Sequence, residues 1–146
     1  MKKPVLFLRI AAVLTLIHAA LHTIGGVFGK AGPGAPTLAV TAMKMNQFQW
    51  MGHTRSYWDF YRGLGLGATI SLTSEAILFW LLASLAAKDA TQLRPILVTF
   101  MVAYLALSVN SFTYFFLGPV IAEILIAACL AMAIVFANHS PANKKA

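Results

Sequence analysis

Charge is the scarcest feature of this sequence. Only 10% of its 146 residues are charged, and only four are acidic. A soluble domain carries about 25% charged residues, so supply alone excludes an ordinary hydrated surface. Cysteine is nearly absent as well. Cys129 is the single one, which excludes an intrachain disulfide and any paired-cysteine metal motif. Lying in an apolar run, it reads as a small buried hydrophobe. Internal repeats, low-complexity tracts and the alternating pattern of a membrane β-barrel are missing too.

What fills the chain is apolar. Hydrophobic residues make up 60% of it, and the mean hydropathy is +0.78. Four long apolar runs stand out, over about 5–29, 63–87, 95–117 and 119–137. Each reaches the roughly 18 to 25 residues that cross a hydrocarbon layer about 30 Å thick. Helices are required, because unpaired backbone groups are too costly in lipid. The predicted fold class is therefore all-α: an integral membrane antiparallel four-helix bundle, one domain over 1–146, with an outer loop 30–62 and a polar tail 138–146. The opening Met1-Lys2-Lys3 resembles the start of a signal peptide. The run behind it is too long and holds Arg9, His18 and His22, so it is expected to stay as a first helix.

Basic residues set the orientation. Lys2, Lys3, Arg9, Lys88, Arg94, Lys144 and Lys145 fall on one side; Lys30, Lys44, Arg55 and Arg62 fall on the other. Seven against four predicts both termini on the cytoplasmic side of a bacterial inner (plasma) membrane. The net charge of +7 is read the same way. It lies in tails and short loops rather than on an aromatic-studded stripe, so the expected partners are membrane lipids, with no nucleic acid.

The connections are unequal. Lys88 to Arg94 and Gly118-Pro119 are tight turns, the second with a proline placed to open a helix. The first connection begins with the breaker cluster Gly32-Pro33-Gly34-Ala35-Pro36. So long a structureless loop is uncommon, and a short interfacial helix is expected within it. Tyr57, Trp58 and Tyr61, with Tyr114 across from them, mark the outer headgroup level.

Ionisable side chains inside a span are expensive, and each is a functional hypothesis. The first span carries His18 and His22, spaced i, i+4 on a face with Ala11, Thr15, Gly25 and Gly29. The second carries Glu75, the third Asn110 on a face with Ala103, Ala106 and Thr113, and the fourth Glu123. At a rise of roughly 1.5 Å per residue, His22 and Asn110 lie roughly 10 Å from the outer end, and His18 and Glu75 roughly 16 to 18 Å. Polar groups thus fill the outer half, above an apolar floor. At the rim, Asp59 and Arg62 are spaced i, i+3. They read as a local ion pair at a helix start, or with Arg62 reaching a pocket carboxylate or a ligand headgroup.

Several readings share these residues. His, Asn and Glu can simply hydrogen-bond between helices and fix their register. They can instead line a pocket for a small lipid-like molecule, apolar with one polar end. Glu75 and His18 are then the acid–base pair, with His22, Asn110, Glu123, Asp59 and Arg62 as binding residues. His-x-x-x-His with two Glu has the donor types of a metal site, and Met43, Met45 and Met51 with His53 those of a copper site; methionine on a packing surface is commoner, and no metal is assigned. The sequence names no cofactor. A small proton-coupled carrier would have to oligomerise, and the pair Gly63 and Gly67 allows a homo-oligomer. An accessory subunit of a membrane complex has no signature of its own.

The stretch His22-Thr23-Ile24-Gly25-Gly26, followed by Ser56-Tyr57-Trp58-Asp59-Phe60-Tyr61-Arg62-Gly63-Leu64-Gly65, resembles a small family of uncharacterised bacterial four-helix membrane proteins. The likeness covers the first two spans and their loop, and implies a fold but no activity. In architecture the chain is also similar to the EXPERA group of sterol isomerases and sigma-2-type receptors, which implies acidic residues in an intramembrane pocket. It departs from the four-helix eicosanoid and glutathione enzymes, whose charged second-helix signature is missing.

Overall fold

The computed structural model describes residues 2–138. The tail from 139 on, part of the expected polar segment 138–146, lies outside the described residues. The chain runs α1 (Lys3–Leu21), a π-helical turn (His22–Val27), α2 (Ala35–Met45), β1 (Gln47–Trp50), β2 (His53–Ser56), α3 (Tyr57–Asp89), a 3₁₀ turn (Thr91–Leu93), α4 (Arg94–Tyr114) and α5 (Leu117–Asn138). Four stretches are long and apolar enough to cross a membrane: Lys3–Val27, Tyr57–Asp89, Thr91–Tyr114 and Leu117–Ala137.

The helix boundaries follow local chemistry. Pro4, Pro36 and Pro95 sit in the first turns of α1, α2 and α4, where a missing N–H costs nothing. At the start of α3, Ser56 and Asp59 form a reciprocal cap. The backbone N–H and hydroxyl of Ser56 both donate to Asp59 Oδ2, at 2.8 and 2.9 Å, and the Asp59 N–H donates back to Ser56 Oγ at 3.3 Å. This is the capping-box logic with aspartate in place of glutamate. It starts α3 at Tyr57, six residues before the expected 63.

The outer connection differs most from expectation. It holds the expected short helix, α2, but also an antiparallel hairpin pairing Gln47 with Ser56 and Trp50 with His53. The two residues between the strands, Met51 and Gly52, have φ of 48° and 83°. Positive φ at both central positions is the signature of the tight turn whose twist matches paired strands. The fold is thus helical with one small hairpin.

Contacts divide the chain into two compact units, Met1–His18 with Leu72–Ala146, and Ala19–Ser71. In the first, one core collects Leu8, Ala11 and Ala12 from α1, Phe79, Leu82, Ala83 and Ala86 from α3, Leu97 and Tyr104 from α4, and Ile126, Leu130 and Ala133 from α5. Their three- and four-residue spacings put each set on one helix face. The opposite faces are also apolar, with Leu16, Ile77, Leu81, Val102, Val109, Ile121 and Ile124 exposed. A helix apolar all round belongs in a large core or a membrane. The second unit joins the end of α1, the π turn, α2, the hairpin and the first part of α3. Gly65 of α3 passes close to the π turn there: a Cβ on it would come 2.9 Å from Val27 Cγ2.

Candidate functional site

The polar groups of the first unit are organised by α4. Its buried face carries Leu97, Tyr104, Ser108 and Ser111, so three hydroxyls follow one another along a stripe continuous with the apolar core. Tyr104 is 0% exposed. Its phenol donates to Glu75 Oε2 of α3 at 2.6 Å. With that proton committed, Thr15 of α1 is the donor in the longer 3.4 Å contact with the Tyr104 oxygen. Three helices thus meet at one phenol. Phe79, one turn after Glu75, lies beneath it with ring centroids 6.1 Å apart.

Two turns further along α4, Ser111 donates to Glu123 Oε1 of α5 at 2.9 Å. Glu123 is only 4% exposed, and its buried Oε2 has no hydrogen-bond partner among the described residues. The rest of the polar stripe, Ser108, turns its hydroxyl back to Leu105 O at 2.8 Å.

The predicted site residues are therefore only partly gathered. Glu75 and Glu123 lie along one stripe of α4 hydroxyls. His18 is half-buried in the same unit with its Nδ1 in the interior, one turn from Thr15. The partner seen on Glu75, however, is Tyr104, which the sequence reading passed over. Asn110 is not brought to this stripe. It is exposed, because the inward face of α4 is the Tyr104–Ser108–Ser111 side and not the Ala103–Ala106–Thr113 side. The helix is apolar all round, so hydropathy alone does not choose between two equally narrow polar stripes.

His22, Asp59 and Arg62 belong to the other unit. His22 opens the π turn, and its Nε2 lies 3.0 Å from Gly65 O. Thr23 follows, donating to Ala19 O at 2.6 Å and meeting Thr69 Oγ1 at 2.9 Å. Tyr61 donates to Gly26 O at 3.1 Å. The Thr23 and Tyr61 hydroxyls thus satisfy carbonyls at the entry and in the last part of the π turn, while His22 and Thr69 tie it to α3. Asp59 spends its carboxylate on Ser56, and Arg62 lies over the Phe28 ring at 5.1 Å; the expected Asp59–Arg62 pair is replaced by a cap and a cation–π contact.

In chemical terms, the carboxyl and phenol at 2.6 Å are within proton-transfer reach of each other. Beside them, Ala12, Val13 and Leu16 of α1 and Ala76, Ile77 and Trp80 of α3 line a side-open apolar groove. Ala76 and Ile77 directly follow Glu75. Among the described residues, no three His, Cys, Asp or Glu side chains gather as a metal site. No family model, curated protein or solved structure matches the chain.

Proposed function

We propose that this chain is a bacterial inner-membrane protein, an antiparallel four-helix bundle with both termini cytoplasmic, that binds a small lipid-like molecule entering sideways from the bilayer. The observation that carries this reading is the half-buried Glu75, bonded to Tyr104 and followed by the two α3 residues that wall an apolar groove. The apolar body of the ligand lies along the groove. Its single polar group meets the Glu75–Tyr104 pair, which can exchange a proton with a hydroxyl or carbonyl placed there. A carboxyl at this depth is costly, and a groove open to lipid at the next turn gives that cost a use.

Native mass spectrometry and lipid extraction of the detergent-purified protein test this. Wild type is expected to carry one amphiphile. Val13→Trp, at an exposed groove position, fills the groove and empties the protein without touching the core. Glu75→Gln lowers retention about tenfold, the worth of one charge-assisted hydrogen bond. An empty wild type, or retention indifferent to both substitutions, overturns the reading and leaves the cluster as interhelical glue.

A further inference from the structure

Among the described residues, Arg9 is the cation set deepest within an apolar span of the first unit. It lies six residues into α1, roughly 9 Å from the helix start. Its guanidinium sits 5.0 Å over the ring of Trp80, and its Nε is buried with no hydrogen-bond partner among the described residues. Each of the four acidic side chains has a hydrogen-bond partner of its own among the described residues. Asp59 is held by Ser56, Glu75 by Tyr104, Glu123 by Ser111, and Asp89 by the Thr91 N–H and Gln92. A charge at such depth needs a counter-charge, water or an escape to the interface. Trp80, which carries Arg9, is also a wall of the apolar groove.

The surroundings share its sign. Lys2 donates from Nζ to Ala87 O at 2.7 Å, which brings the start of α1 to the end of α3. Lys3 lies 4.6 Å over Phe136, near the end of α5. Lys88 and Arg94 flank the short link from α3 to α4. Asp89 is the only acid among them. Basic pockets between spanning helices are where acidic lipid headgroups settle.

We infer that the groove also admits an anionic phospholipid, its phosphate on Arg9 and one acyl chain in the groove of Ala12, Val13, Leu16, Ala76, Ile77 and Trp80. This rests on the groove being a lipid site and gives its Arg9 end a polar contact of its own, apart from the Glu75–Tyr104 pair. A guanidinium held over an indole by cation–π attraction can still offer its terminal N–H groups, and that fork matches two phosphate oxygens. A zwitterionic head brings its own cation into a field of lysines and arginines and is disfavoured.

The test loads purified protein with equal amounts of dioleoylphosphatidylglycerol and dioleoylphosphatidylcholine, and native mass spectrometry reads the bound ratio. Wild type is expected to favour phosphatidylglycerol five- to tenfold. Arg9→Gln brings the ratio close to one, and Arg9→Lys retains part of the preference, having the charge but not the fork. A wild-type ratio near one overturns the inference, and that measurement needs no variant to fold. So does a preference that Arg9→Gln leaves intact. Retention of both lipids abolished by Val13→Trp, with a wild-type ratio near one, keeps the groove and discards the anionic head. Retention untouched by Val13→Trp removes the groove reading and this inference together.

Discussion

In the unit of Met1–His18 with Leu72–Ala146, Leu8, Phe79, Leu97, Tyr104, Ile126 and Leu130 are all essentially inaccessible. In Ala19–Ser71, only Ala19, Val27 and Ser56 are buried among the described residues. The first unit is held by interlocking side chains, and its polar groups are inserted into that packing. The second is held by side chains that serve the backbone: Ser56 and Asp59 at the start of α3, Asn46 donating to Ala42 O at the end of α2, Thr37 donating to Gly32 O before it, and His22 beside Gly65 O. A change in the packed unit should therefore be felt globally, and a change in the capped unit locally.

The largest expected effect is in the packed unit. Phe79 is 0% exposed and meets Phe100 edge-on at 5.1 Å. Phe79→Ala should cost about 3 kcal/mol or more, the usual scale for emptying a core aromatic site, seen as a large drop in Tm in detergent. Leu38→Ala on the exposed side of α2 should stay within about 0.5 kcal/mol. Equal shifts for the two would mean that the second unit is as tightly packed as the first, and the contrast would fail.

A middle effect belongs to the cap. Ser56→Ala removes the hydroxyl that both donates to and accepts from Asp59, at a cost of about 1 kcal/mol. Amide exchange should quicken in the first turn of α3 and in β2, while the melting of the packed unit stays put. A global shift in Tm instead would show that the two units unfold as one.

The same contrast explains what was legible in the sequence. Length and hydropathy alone locate four long helices, because nothing but a helix satisfies an apolar backbone in lipid. Which face of each helix turns inward is a different question. In α1, Ala11, Thr15 and His18 do lie on one face toward the interior. In α4, Tyr104, Ser108 and Ser111 were as regular a stripe as the one around Asn110, and only contact with Glu75 and Glu123 distinguishes them. Small local motifs were readable and missed. Ser56-x-x-Asp59 spells a cap, and the alternation Gln47-Phe48-Gln49-Trp50 up to Met51-Gly52 spells a strand entering a tight turn. The expectation of one short interfacial helix within the outer connection includes neither.

The smallest effect sharpens the comparison most, because a single energy term governs it. Met51 is 89% exposed, so replacing it forfeits almost no packing. Its φ of 48° is a conformation that disfavours side chains with a Cβ, by roughly 1 kcal/mol or more. Asparagine tolerates that conformation far better, and Asn-Gly is the preferred pair for this turn. Met51→Asn should therefore stabilise the hairpin by about 0.5 kcal/mol, with slower amide exchange at Phe48 and Arg55 and no change in the Tm of the packed unit. Slower exchange confined to the hairpin means that the second unit is built from separable local devices. Unchanged exchange would mean that the turn is dictated by the contacts of Phe48 with Tyr57 and Phe60, at ring-centroid distances of 5.1 and 5.9 Å, and that the capped unit has a small core of its own.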